Sequence, residues 1–320
     1  MNEQNDTNRG SFNATVVGNR QIGKRFYKLL LQFDSAGAAA FAKTKPGQFA
    51  EIDPSRTALP AEQKIPEDMA DAVQREIILR RPYSFCDVIS KDNKTAVEIL
   101  YCVVGPASIR LTTLKESDTL SIIGPLGNGF CIPQNKKIAL LVSGGMGAPP
   151  ILHLAKIIGL ENPMIQAIAF VGAKTKMELP FEGRIDEVSK EIGFPVHAFA
   201  QYGVESQIAT DDGSLGFAGP ITKCLTEWLD KNPQKAQEAV IFACGPEAML
   251  AEVARIANEK NIDCQVSMER RMACGIGVCQ SCTVECKTPN STETVYKLCC
   301  KDGPVFDAKE VVFSAGEHRI

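Results

Sequence analysis

Six of the chain's twelve cysteines fall between positions 274 and 300, and their spacing constrains the fold more than any other feature. The run reads Cys274-Gly-Ile-Gly-Val-Cys279-Gln-Ser-Cys282, and after a gap the pair Cys299-Cys300 follows. A tight loop with this C-x4-C-x2-C…C spacing brings three thiolates together from one backbone turn, and a fourth returns from further along the chain. That is the ligand pattern of a [2Fe–2S] cluster. Gly275 and Gly277 let backbone amides approach the sulfides and donate hydrogen bonds to them. Zinc, the competing metal, usually takes paired C-x2–4-C knuckles. Cys286 stands C-x3-C from Cys282 as a surplus thiol, and no second set of cysteines supports a [4Fe–4S] site.

The other six cysteines are scattered from Cys86 to Cys264 in apolar surroundings, where the residue is usually a small buried hydrophobe. A polar N-terminus without an apolar core shows no export signal, so the cysteines are not read as disulfides and a cytoplasmic setting is expected. The most apolar stretch, 138–160, is broken by Gly-Gly, Pro-Pro, His153 and Lys156, which excludes a membrane span. A net charge of −3 leaves no basic footprint for nucleic acid. With 320 residues, two domains and a small third module fit.

The spacing of apolar runs divides the chain. Over 11–133 the runs ATVVGNR, FYKLLLQF, GQFAEI, VEILYCVV and DTLSIIGPLGNGF are short and turn-punctuated, which predicts an antiparallel β-barrel or sandwich. Residues 54–79 are polar and rich in proline, and read as an inserted excursion that becomes helical towards its end. Over 134–268 buried strands at 138–143, 164–170, 194–200, 239–244 and 264–268 alternate with helices near 150–159, 185–192, 220–229 and 247–260. This alternation predicts an α/β domain with a doubly wound parallel sheet. Residues 269–320 form a separate cysteine- and glycine-rich module.

Two loops of the second domain point to a dinucleotide. The run SGGMGAPP follows the first strand and opens a helix, so Gly144, Gly145 and Gly147 would let the backbone lie against a pyrophosphate. Cys244, Gly245 and Pro246, followed by Glu247, leave the fourth strand on the same side of the sheet, where ligands of such folds bind. In the first domain, Arg80-Arg81-Pro82-Tyr83-Ser84 groups cations, an aromatic ring and a hydroxyl. A flavin needs all three, for its pyrophosphate, its ring and its N5 edge.

In this order, PGQF (46–49), RPYS (81–84), GGMGAPP (144–150), CGPEAML (244–250) and the terminal cysteines resemble the ferredoxin–NADP⁺ reductase superfamily. More narrowly, RMACGIGVCQSC followed by CKDGPVF resembles the electron-transfer subunits of type B dihydroorotate dehydrogenases. The resemblance covers nearly the whole chain apart from the N-terminal tail and 54–79. It implies FAD held by Arg81, Pro82, Tyr83 and Ser84, with further flavin contacts from Leu100, Tyr101 and Cys102. Where that family usually has a Gly-Thr pair at the FAD phosphates, this chain has Ala107-Ser108, which keeps the hydroxyl and loses the glycine. The resemblance also implies Cys274, Cys279, Cys282 and Cys300 as cluster ligands, because the family's fourth cysteine directly precedes an x-Asp-Gly-Pro run. Read as an extended strand, TVYKLCCKDG puts Cys299 and Cys300 on opposite sides, and that alternation does not choose between them.

The family resemblance implies NAD as the nucleotide, although Lys174 and Lys176 after the second strand suit either a solvated turn or a 2′-phosphate. It implies an FMN-containing catalytic subunit as partner, oxidising dihydroorotate to orotate in pyrimidine biosynthesis, within a heterotetramer. Electrons would then run from partner FMN through [2Fe–2S] and FAD to NAD⁺. Two other readings use the same motifs: a reductase module serving a hydrogenase, sulfide-type reductase or oxygenase, and a redox-sensing regulator without turnover.

Overall fold

The computed structural model describes residues 9–181, 196–288, 291 and 293–313. Seven strands, β1 (Gly10–Gln21), β2 (Phe26–Phe33), β3 (Phe49–Ile52), β4 (Arg81–Ser84), β5 (Asp87–Lys91), β6 (Lys94–Cys102) and β7 (Thr119–Leu126), form one antiparallel sheet. The order is β4-β3-β7-β1-β2-β6-β5. Its two edge strands, β4 and β5, are consecutive in the chain and separated only by Phe85 and Cys86. The chain itself therefore holds the edges together and curls the sheet into the expected barrel. Alternate residues such as Leu29, Leu31, Val97 and Ile99 fill its interior. Helix α1 (Ser35–Phe41) stacks Phe41 on Phe33 with ring centres 4.0 Å apart, and α2 (Pro106–Leu111) follows β6.

The 54–79 excursion differs from expectation. It makes two short 3₁₀ turns, Glu62–Lys64 and Glu67–Met69, and no α-helix. Pro60 and Pro66 interrupt its first half, and the chain must then straighten to bring Arg81 into register opposite Ile52. The segment is anchored: Met69 and Val73 enter the barrel core, Arg25 pairs with Asp68 at 2.7 Å, and Arg110 donates to the Thr57 carbonyl.

Strands β8 (Ile138–Gly144), β9 (Gln166–Ala173), β10 (Glu205–Thr210), β11 (Phe217–Ala218), β12 (Ala239–Cys244) and β13 (Asp263–Ser267) form a second, parallel sheet in the order β11-β10-β9-β8-β12-β13. Helices α3 (Ala148–Glu161), α4 (His197–Ala200), α5 (Ile221–Lys231), α6 (Pro233–Gln237) and α7 (Glu247–Glu259) connect them. Along β8, Ala139 and Leu141 pack with Ile151 and Leu154 of α3, whereas Leu140 and Val142 pack with Leu225 of α5 and Val253 of α7. The sheet is thus covered on both faces, which is why its strands are apolar throughout. The strand expected at 194–200 is absent where described: His197–Ala200 is helical, and the third parallel strand is Glu205–Thr210. The helix expected at 185–192 lies outside the described residues.

The terminal segment adds a two-stranded hairpin, β14 (Thr283–Lys287) and β15 (Thr294–Leu298), and then β16 (Val305–Asp307). Strand β16 pairs antiparallel with β13 and so becomes an edge of the second sheet. Cys282, Val284, Cys299 and Cys300 share one apolar cluster with Leu140 of the parallel sheet and Phe49 and Leu126 of the barrel. Asn128 clasps the module to the barrel. Its side-chain amide donates to the carbonyls of Asp302 and Val305 at 2.9 and 3.0 Å and accepts from the Val305 N–H at 3.0 Å.

Candidate functional site

Strands β8 and β12 are neighbours, yet the chain leaves β8 through α3 towards β9 on the other side. The strand order reverses at that point, so the loops at their carboxyl ends part and leave a crevice, where ligands of open α/β sheets bind. The two loops still touch at their base. A methyl group on Gly147 would sit 1.9 Å from the Cys244 carbonyl oxygen, so only glycine lets α3 start this close to β12. Gly145 has a different task, turning the backbone at φ +51° before the helix.

The crevice opens into a cleft of about 890 Å³, large for a single small molecule and suited to a cofactor with a second ligand. The barrel supplies one wall: Arg81, Pro82, Tyr83 and Ser84 from β4, Leu100, Tyr101 and Cys102 from β6, and Ala107 and Ser108 from α2. Gly147, Cys244, Gly245 and Pro246 supply the facing wall. Gly144 and Gly145 do not line the cleft; Gly144 is buried at the end of β8, beneath Met249. A third wall was not anticipated from the sequence. It consists of Ser267, Met268, Glu269, Arg270, Arg271 and Met272, with Pro304, and it leads directly into the cysteine loop. The adjacent arginines just ahead of Cys274 were the available signal for it.

On the barrel wall, the Arg81 guanidinium is fixed by donating to the carbonyls of Leu79 and Arg80, both at 2.9 Å. Tyr83 meets Tyr101 edge-on at 6.2 Å, Tyr101 stacks on Tyr27 at 5.4 Å, and its hydroxyl donates to Asn19. Burial pushes both phenols up, so they stay protonated. The Ser108 hydroxyl is used within its own turn, accepting from the N–H groups of Val104 and Gly105. Burial likewise pushes the Cys244 thiol up to about 12, against a hydrogen bond with Ser267, and keeps it neutral.

The four cysteines implied as cluster ligands are linked in two pairs. The Cys279 N–H points to the Cys274 sulfur at 3.4 Å, and the Cys300 N–H points to the Cys282 sulfur at 3.5 Å. Left-handed backbone at Gly275, Gly277 and Gln280 winds the loop that makes this possible. Hydrogen bonds to Ser281 bring the Cys279 thiol down to about 6. Among the described residues no three Cys, His, Asp or Glu side chains converge as they would on one ion. A binuclear cluster takes two thiolates for each iron, and the two cysteine pairs match that requirement.

The alternation expected along 294–300 stops short of the cysteines. Strand β15 ends at Leu298, and Cys299 and Cys300 lie in a turn closed by Asp302, whose carboxylate accepts from the Leu298 N–H at 2.7 Å. The turn nonetheless separates them. Cys299 points to the Met268 carbonyl at 3.2 Å, and burial pushes its thiol well up, while Cys300 faces Cys282 and Gly277. Cys286 is fully buried in the hairpin opposite Val295.

One buried carboxylate at this junction also escaped the sequence reading. Glu51, in β3, is fully buried, and neither carboxylate oxygen has a hydrogen-bond partner. Burial raises its carboxyl to about 7, against the pull of Arg81 and Arg80.

Residues 269–312 match the family described as the iron-sulfur cluster binding domain of dihydroorotate dehydrogenase B. The whole chain is similar to the electron transfer subunit of dihydroorotate dehydrogenase B (NAD(+)) from Geobacillus thermodenitrificans, at 34% identity over 95% of this chain and 99% of the relative. The subunit of the same name from Caldanaerobacter subterraneus is 32% identical over 95% of this chain and 100% of its own length. Among solved structures, an NADH-dependent reduced ferredoxin-NADP oxidoreductase superposes with TM-score 0.66 and 25% identity, covering 94% of this chain and 90% of that one. Phthalate dioxygenase reductase shares the fold at TM-score 0.53 and 14% identity, with 90% and 77% covered. No helix among the described residues is long and apolar enough to cross a membrane.

Proposed function

Because this chain belongs to the family of electron transfer subunits of dihydroorotate dehydrogenase B, we propose that it relays electrons between an FMN-containing catalytic subunit and NAD⁺ in the cytoplasm. The observation that carries this reading is the three-walled cleft: a barrel wall, a dinucleotide-type crevice and the lead-in to the cysteine loop meet in one cavity. Its barrel wall would hold FAD. Arg81 would face the pyrophosphate, Tyr83 and Tyr101 would flank the ring system, and Ser84 would face its polar edge. The crevice of Gly147, Cys244, Gly245 and Pro246 would take the nicotinamide nucleotide, and the pairs Cys274/Cys279 and Cys282/Cys300 would hold a [2Fe–2S] cluster. Bound flavin supplies the exchange between one-electron and two-electron carriers that such a chain requires.

The protein's own contribution is to bind, orient and exclude water. Cys244, Tyr83 and Tyr101 stay neutral and so add no charge of their own to the cleft walls. The test is to purify the chain alone and measure FAD, iron and labile sulfide, then NADH-driven reduction of an artificial acceptor and of nothing else. Dihydroorotate oxidation by the isolated chain, or zinc in place of iron, would overturn the assignment.

A further inference from the structure

Glu51 has no role in the site as described so far, and its surroundings make its presence hard to explain by packing. In β3, Ala50 and Ile52 point into the barrel core, so Phe49 and Glu51 point the opposite way, towards the joint with the terminal module. There the carboxylate abuts the cysteine loop. A methyl group on Gly275 would lie 2.4 Å from its Cγ and 2.6 Å from Oε1, so the loop is shaped around this side chain. Register places Pro82 of the flavin-wall strand directly opposite Glu51. Arg81 of that strand and Arg80 just before it act on its charge, and Cys279 acts on it from the cysteine loop. A buried carboxylate without hydrogen bonds is costly, and an apolar residue of similar volume would be the more stable choice.

We propose that Glu51 is an electrostatic positioning residue that sets a negative charge between the flavin wall and the cluster loop and so holds the cluster's reduction potential down. An electron arriving on the cluster adds negative charge beside an existing one, in a region of low dielectric, which favours its onward passage. Arg81 and Arg80 favour the ionised form against the cost of burial, and at pH 8 the carboxylate carries its charge. The inference rests on the cluster assignment above.

The experiment is a redox titration of the cofactor-loaded full chain, followed by the EPR signal of the reduced cluster, at pH 8. Wild type is compared with Glu51→Gln, which keeps the shape and removes the charge, and Glu51→Asp, which keeps the charge. At the wild-type midpoint, Glu51→Gln should raise the ratio of reduced to oxidised cluster about tenfold, equivalent to about 59 mV for one electron. Glu51→Asp should stay within about twofold of wild type on the same scale. If Glu51→Gln loses its iron while Glu51→Asp keeps it at the wild-type potential, the charge is needed to seat the loop, which also supports the role. The proposal is overturned if Glu51→Gln titrates with wild type, if both variants shift equally, or if both lose the cluster, because packing alone would then suffice. Absence of a reduced-cluster signal in wild type would instead refute the cluster assignment.

Discussion

Replacing Gly147 with alanine tests the crevice where it is tightest. Gly147 has ordinary helical dihedrals, φ −71°, so an added methyl group brings no backbone strain of its own. The obstacle is contact: the new Cβ would stand 1.9 Å from the Cys244 oxygen, 2.3 Å from its carbonyl carbon and 2.6 Å from the Gly245 nitrogen. Normal separation is about 3.5 Å, so one loop must retreat by about 1.5 Å, and every obstructing atom is backbone. Overpacking of this kind costs about 3 kcal/mol, the upper end of its usual range. That corresponds to a fall of roughly 6–12 °C in melting temperature. The displaced loops line the cleft, and a shift of that size should lower kcat/KM for NADH by about 100-fold. Gly145→Ala is the control. Its Cβ meets nothing within 4 Å, and only the φ of +51° opposes it, at about 1 kcal/mol. Thermal unfolding and NADH-dependent acceptor reduction would be measured on both variants. An unaltered melting temperature and kcat/KM in Gly147→Ala, or greater damage from Gly145→Ala, would refute the reasoning.

Cys300→Ser should abolish or strongly perturb the reduced-cluster EPR signal, whereas Cys299→Ser and Cys286→Ser should leave iron and sulfide nearly unchanged; loss in Cys299→Ser alone would reverse the assignment. Arg81→Ala should lower the FAD retained on purification, and equal flavin content in variant and wild type would remove Arg81 from the pyrophosphate. His153, buried in α3, has its imidazole lowered to about 4 by burial, so it stays neutral in the fold. Between about pH 6.5 and 4 the unfolded chain binds a proton that the native state refuses, so this group's stabilisation, present above pH 6.5, is lost as the pH falls. At about 1.4 kcal/mol per unit the loss approaches 3 kcal/mol, and His153→Leu should flatten that part of the stability–pH curve in denaturant titrations.

Local patterns were legible in the sequence. FYKLLLQF and AVIFAC announce strands because burial against one or two faces writes its period into a handful of neighbours. The cysteine and glycine motifs stand out for the same reason, since most of their residues lie within one turn of backbone, but only the fold shows that Cys300 returns to Cys282 and that Gly144 and Gly145 lie off the cleft. The losses came where distant segments decide. FPVHAFA has strand composition, but its described end coils into a single helical turn, and the less apolar ESQIAT takes the place beside β9. Glu51 shows the limit most clearly. Alternation along FAEI suggests a solvent-facing glutamate, and β3 is buried on both faces only because a module more than 200 residues later packs over it. Cys299 and Cys300 are separated as alternation suggested, yet by a turn built on Asp302 that a strand pattern does not reveal.

Strand β16 has a consequence for modularity. Residues 305–307 occupy the flank of β13, and residues 302–305 are held by Asn128 of the barrel. A gene truncated after Ser267 would therefore lose more than its iron-binding part. It would leave β13 with an unpaired row of amides and carbonyls, the kind of open edge that recruits other chains into aggregates. The terminal module is thus no detachable carriage on a flexible coupling. Exchanging it for a foreign ferredoxin-like unit would require the newcomer to bring its own finishing strand and a seat for Asn128.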